Sequence, residues 1–200
     1  MILKICGITT QPDANAALAA GANAIGFNFY PKSPRYIAPV SAAAIGTAEG
    51  VRRVGVFVNE PPERIQEIAL AARLDVAQLH GDESPDQYPA TLSVWKAVRV
   101  GPGFDLANYV SLPAEALVLD GPAGEQYGGA GQTFDWRLAS ATGLRVVLAG
   151  GLDASNVARA IQLAHPWGVD ACSKIESTPG IKDHQKMNDF LQAAKAALHS

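Results

Sequence analysis

Short β-rich apolar runs recur along the whole chain, and each is followed by a helix-like stretch. This alternation limits the fold more than any other feature. The runs are Leu3–Cys6, Ala24–Phe29, Arg53–Val58, Val76–His80, Val94–Val100, Ala116–Leu119, Val146–Ala149 and Val169–Cys172. Eight runs in 200 residues give a spacing of about 25 (200/8). Strands separated by helices pair in parallel through right-handed crossovers. Eight such units suit a closed (β/α)8 barrel, whose lower size limit is about 200 residues. An open doubly wound sheet would use fewer strands at this length, and its Gly-rich fingerprint is missing after the first strand. The expectation is an α/β fold, a single-domain TIM barrel with parallel strands over residues 1–200.

The intervening segments support a helical layer packed on a sheet. Ile65, Ile68, Ala69 and Ala72 follow Pro61-Pro62 at i, i+3, i+4, i+7, and proline suits a first helical turn. Val157, Ala160, Ile161 and Ala164 repeat the spacing, with Asp153 or Ser155 available as a cap. Met187, Phe190, Leu191, Ala194 and Leu198 mark a last amphipathic helix.

Composition removes several function classes. The 16 Lys and Arg against 19 Asp and Glu leave a net charge of −3 with no basic run. Nucleic acid and anionic membrane are therefore not expected partners. No 18-residue apolar window exists, and the start has no charged region followed by a long apolar one. Two cysteines without CxxC or zinc spacing form neither a disulfide framework nor a metal site. The chain reads as reduced and cytoplasmic, and a monomer and a homodimer fit it equally.

In a barrel, function sits at the C-terminal strand ends and the loops that follow. The unusual residues of this chain collect there. Strand alternation puts Lys4 and Cys6 on one face and Leu3 and Ile5 on the other. If the apolar pair faces the helices, Cys6 points into the barrel beside an ammonium that favours its thiolate, and it could act as a base; a small buried hydrophobe is the plainer alternative. Asp120 ends a strand before Gly121-Pro122, either as a general acid or as an acceptor of turn N–H groups. Arg35 lies in Tyr30–Tyr36, a loop stiffened by two prolines; its fork suits a carboxylate, though a solvated surface loop fits as well. Gly150-Gly151 and Ser173-Lys174 follow strands 7 and 8, where barrels commonly bind phosphate through backbone N–H groups; a plain helix-start turn needs no more than the Gly pair. His80 shares a face with Gln78 at the end of strand 4, where a lone histidine is more often a hydrogen-bonded structural residue than a catalyst. Gly124–Gly131 reads as a lid or a spacer and lacks the Walker A ending.

Together these segments resemble phosphoribosylanthranilate isomerase of tryptophan biosynthesis, nearly end to end. The resemblance runs through Lys4-Ile5-Cys6-Gly7-Ile8-Thr9, Gly26-Phe27-Asn28-Phe29, Ser33-Pro34-Arg35-Tyr36 and Val54–Asn59. It continues through Gln78-Leu79-His80-Gly81, Leu119-Asp120, Gly128–Trp136, Leu148–Leu152 and Gly168-Val169-Asp170. It implies a cofactor-free and metal-free Amadori rearrangement of a small phosphorylated substrate, with Asp120 as general acid and Cys6 as general base. Arg35 would meet the anthranilate carboxylate. His80 falls with the substrate-binding set, and Gly150, Gly151, Ser173 and Lys174 with the phosphate.

One stretch departs from the family pattern. Small-Ser-Ser-Gly is usual after Val169-Asp170, whereas this chain has Ala171-Cys172-Ser173-Lys174. If position 174 needed a positive φ, lysine there would cost about 1 kcal/mol or more. The related histidine-pathway isomerase uses aspartates at the ends of strands 1 and 5. Here those places hold Cys6 and Arg99-Val100-Gly101. A non-catalytic phosphoester binder would have no need of both Cys6 and Asp120.

Overall fold

The computed structural model describes residues 1–121, 133–140 and 143–198. The Gly124–Gly131 segment lies outside the described residues. Eight parallel strands close into a barrel in sequence order: β1 Ile2–Ile5, β2 Ala24–Asn28, β3 Arg52–Phe57, β4 Val76–Leu79, β5 Ser93–Arg99, β6 Ala116–Asp120, β7 Val146–Leu148 and β8 Gly168–Ala171. Closure comes from β1 pairing with β8, Leu3 opposite Val169 and Ile5 opposite Ala171.

Alternation sorts the side chains as it predicts. Leu3, Ile5, Ile25, Phe27, Leu79, Leu119 and Leu148 face outward and join the helices in one apolar cluster. Ala24, Val54, Val76, Trp95, Ala116, Val118 and Val147 fill the barrel interior. Trp95 plugs the lower end, edge-on to Trp167 at 5.6 Å between ring centroids. Along the inward face the residues turn polar toward the C-terminal rim: Ala24 and Gly26 give way to Asn28, Val76 to Gln78, and Ala116 and Val118 to Asp120. One residue parity thus builds both the core and the floor of the site.

The helices are α1 Gln11–Ala20, α2 Pro39–Ala44, α3 Pro62–Ala72, α4 Val157–Ala164 and α5 His184–Ala196. α3 buries Ile65, Ile68, Ala69 and Ala72, and α4 buries Val157, Ala160, Ile161 and Ala164. Neither Asp153 nor Ser155 caps α4. Asn156 holds the cap position, and the Asp153 carboxylate is occupied by the Ser155 N–H and hydroxyl. Leu198 lies past the end of α5 and is exposed, so it falls outside the stripe. After β4, β5 and β6 the described connections hold only 3-10 turns, at Pro85–Gln87, Leu106–Tyr109 and Trp136–Ala139. Prolines, glycines and aspartates in the first two of these segments favour turns over propagated helix. After β8 the chain adds a short hairpin, β9 Glu176–Thr178 and β10 Ile181–Lys182. Among the described residues no helix is long and apolar enough to cross a membrane.

Candidate active site

A cavity of about 510 Å³ opens at the C-terminal rim. Cys6, Arg35, His80 and Asp120 line it, from just past β1, the loop after β2, just past β4 and the end of β6. Gly150 and Gly151 after β7, with Ser173 and Lys174 after β8, complete its wall. All eight residues expected at the site therefore surround one space.

At the floor, Lys4 is fully buried and donates to Asp170 Oδ2 at 2.7 Å. Burial alone would lower the ammonium, but the Asp170 and Cys6 charges outweigh it and hold it protonated. Burial pushes Asp170 up to about 7 against the opposing pull of Lys4. Cys6 follows two residues after Lys4 and is nearly inaccessible. A hydrogen bond with Cys172 lowers its thiol well below the ordinary range, overcoming burial, with Lys4 and Lys182 acting the same way. The chain permits this packing because Gly26 on β2 has no side chain. A Cβ there would stand 2.7 Å from Cys6 Sγ and 3.2 Å from Lys4 Cε.

Across the cavity, Asp120 and His80 are both largely buried, with His80 Nε2 3.4 Å from Asp120 Oδ2. That imidazole nitrogen and Gln78 Oε1 are buried without a hydrogen-bond partner within the described protein. Such groups fit a polar ligand in the cavity, since an unmet buried donor or acceptor costs about 1–3 kcal/mol.

Arg35 is anchored by Glu176. Its Nε donates to Oε1 at 2.9 Å and its Nη2 to Oε2 at 2.8 Å. Buried Lys182 donates to the same carboxylate at 2.9 Å. Burial opposes ionisation of Glu176, but the two cations hold its pKa below the usual range. The fork leaves the Nη1 edge of the guanidinium outside the Glu176 pair.

Gly150 and Gly151 have φ of 77° and 67°, a conformation that favours glycine, and Asn156 Nδ2 braces the turn by donating to the Gly151 carbonyl at 2.9 Å. Lys174 is different. It sits in the 3-10 turn Ser173–Ile175 with ordinary negative φ, so lysine carries no left-handed strain there.

Sequence reasoning alone did not assign Glu176, Lys182 or Asp170 to the site. For Asp170 a signal existed: a carboxylate within an apolar strand, at an inward position that can face Lys4. Glu176 falls in the unusual stretch Ser173–Glu176 after strand 8, which marks its place at the rim but not its partner; Lys182 had no signal, because the β9–β10 hairpin has no strand-length apolar pattern.

A closed parallel (β/α)8 barrel with a depressed thiol, a carboxyl group and an anchored guanidinium around one rim cavity defines an enzyme-like barrel equipped for acid–base chemistry on an anionic small molecule. The model of the N-(5'-phosphoribosyl)anthranilate (PRA) isomerase family matches residues 3–193. The N-(5'-phosphoribosyl)anthranilate isomerase of Solibacter usitatus (strain Ellin6076) is 72% identical over 198 residues, covering 99% of each chain. The crystal structure of the Thermus thermophilus phosphoribosyl anthranilate isomerase superposes with a TM-score of 0.90 at 39% identity, covering 98% of this chain and 99% of that one. A phosphoribosyl anthranilate isomerase in complex with reduced 1-(o-carboxyphenylamino)-1-deoxyribulose 5-phosphate has a TM-score of 0.82 at 36% identity, covering 98% and 100%. The chain belongs to the N-(5'-phosphoribosyl)anthranilate isomerase family.

Proposed function

We propose that this protein isomerises N-(5-phosphoribosyl)anthranilate to 1-(2-carboxyphenylamino)-1-deoxyribulose 5-phosphate, in tryptophan biosynthesis, with Cys6 as base and Asp120 as acid. The observation that carries the assignment of roles is the placement of a depressed Cys6 thiol, just past β1, and the Asp120 carboxyl, at the end of β6, around one cavity. Asp120 protonates the furanose ring oxygen, and the ring opens to a Schiff base. Cys6 thiolate then takes the C2 proton, giving an enolamine that tautomerises to the aminoketone. His80, 3.4 Å from Asp120, faces the sugar hydroxyls.

The Nη1 edge of Arg35 meets the anthranilate carboxylate, with Glu176 fixing the guanidinium plane. The Gly150-Gly151 turn and Ser173 offer backbone N–H groups to the phosphate, and Lys174 adds a cation. With a net charge of −3, the protein attracts this polyanion only through such local groups. Residues 1–200 are one domain in this reading, supported by a barrel that closes between Ile2 and Ala171. The reducing cytoplasm suits its two free thiols. Complementation of a tryptophan auxotroph lacking this step tests the reading. Growth with the wild-type chain and none with Asp120→Asn is expected; no growth with soluble wild-type protein would overturn it.

A further inference from the structure

We propose that the buried Glu83–Lys96 ion pair is a positioning element of the reaction: it clamps the His80-Gly81 turn and so holds the His80 imidazole beside Asp120. This rests on the reading of Asp120 as acid and of His80 as the residue facing the sugar.

The pair sits where the alternation calls for an apolar residue. Lys96 occupies an outward position of β5, between Val94 and Val98, which both join the apolar layer. Its Nζ donates to Glu83 Oε2 at 2.7 Å, and both side chains are buried. Taking two charges out of water offsets most of their attraction, so apolar residues would serve stability as well there. What they could not do is pair the backbone of the rim. Residues 80–84, ahead of the 3-10 turn Pro85–Gln87, belong to no strand or helix that would take their N–H and C=O groups.

Glu83 and Lys96 take several of those groups. The carboxylate accepts the Gly81 N–H on Oε2 at 3.0 Å and the Asn59 N–H on Oε1 at 2.8 Å. The ammonium donates to the Gly81 carbonyl at 2.6 Å and lies 3.5 Å from the Leu79 carbonyl oxygen. Leu79 and Gly81 stand on either side of His80. The loop after β3 is drawn into the same clamp, because Asn59 Oδ1 accepts the Asp82 N–H at 2.7 Å. Gly81 permits the approach, since a Cβ there would stand 2.7 Å from the Asn59 nitrogen.

The imidazole itself is held more loosely. Its Nε2 lies 3.4 Å from Asp120 Oδ2 and its Nδ1 3.4 Å from Gln78 Nε2, both beyond the usual hydrogen-bond range. Its place is therefore set through its backbone. The His80 N–H donates to the Phe57 carbonyl at 2.8 Å, and the ion pair fixes the residues before and after it.

The test is a double-mutant cycle on kcat. His80→Ala is expected to lower kcat by about 100-fold, the scale of a misplaced or missing catalytic contact. Glu83→Gln should cost about tenfold or more without exceeding that loss, and the double variant should match His80→Ala. Losses that multiply overturn the proposal. Inhibition by inorganic phosphate is expected to be unchanged in Glu83→Gln, since the loops after β7 and β8 are not clamped by this pair; an equal weakening there would mean a general loosening and overturns it too. Glu83→Gln/Lys96→Met leaves neither charge unpaired, so its urea midpoint is expected to recover toward wild type while kcat stays low. Recovery of both would reduce the pair to a structural role and overturn the proposal, and this variant decides alone should Glu83→Gln fail to fold. A wild-type kcat in His80→Ala also overturns it and marks the His80 role as the failed part. Absent turnover in the wild-type protein would overturn the isomerase reading and this inference together.

Discussion

Arg35 and Glu176 lie 141 residues apart in the chain and meet as a two-point fork, Nε to Oε1 at 2.9 Å and Nη2 to Oε2 at 2.8 Å. The loop after β2 and the hairpin after β8 are thereby tied together across the mouth of the cavity. Lys182 closes the cluster from below with its own bond to Glu176. The guanidinium that we propose for a substrate carboxylate is therefore already oriented, which would lower the entropy lost on binding.

Glu176→Gln is expected to lower unfolding free energy by about 3 kcal/mol at neutral pH, because the buried Lys182 and half-buried Arg35 charges lose their partner. The sign of the pH dependence follows from the lowered Glu176 pKa. On acidification the unfolded chain takes up the proton first, so the stabilisation present above its unfolded pKa drains away as pH falls through the folded one. Urea unfolding of both proteins at neutral and acid pH should show the gap closing on acidification; a gap independent of pH would contradict the ion pair as its source.

Asp120→Asn preserves shape but removes the proton that the proposed mechanism transfers. Turnover is expected to fall by about 10²–10⁴-fold, the usual contribution of a positioned acid. Product affinity should remain near wild type by calorimetry. Undiminished kcat would remove Asp120 from the chemistry.

Gly26→Ala tests the space occupied by Cys6, the proposed base. The added methyl would meet Cys6 Sγ at 2.7 Å and the Cys6 Cα at 3.1 Å, so the sulfur must move. A displacement on the order of 1 Å is expected to lower kcat by about 100-fold. Gly101→Ala, where a Cβ meets nothing within 4 Å, serves as the control and is expected to keep wild-type kcat. Equal activity in the two variants would show that the Cys6 position is not critical.

Lys174→Gly brings back the glycine that the family pattern has at this place. Since Lys174 has ordinary negative φ, no strain is relieved, and the change removes a cation from an exposed position. Inhibition by inorganic phosphate is expected to weaken by about two- to fivefold at low salt, with the difference fading as salt is raised. Tighter phosphate binding by the glycine variant would mean that the side chain obstructs the site.

Much of this architecture is legible along the chain. The parity that sends Leu3 and Ile5 to the helices sends Lys4 and Cys6 inward, and the rim positions of Asp120, Gly150 and Gly151 follow from where their strands stop. The same reading fails after β4 and β5, where short 3-10 turns stand in place of full helices. There, proline and turn-forming residues prevail over the regular alternation.

Side-chain order determines period and face, because these depend only on neighbours within a few residues. Hence the barrel class, the inward set and the rim candidates could all be derived before any coordinates. Partnership is different in kind. Lys4 meets Asp170 across 166 residues because closure lays β8 beside β1, and Arg35 meets Glu176 across 141. No local periodicity encodes those meetings. The closed barrel decides them, and with them the charge environment in which the Cys6 sulfur works.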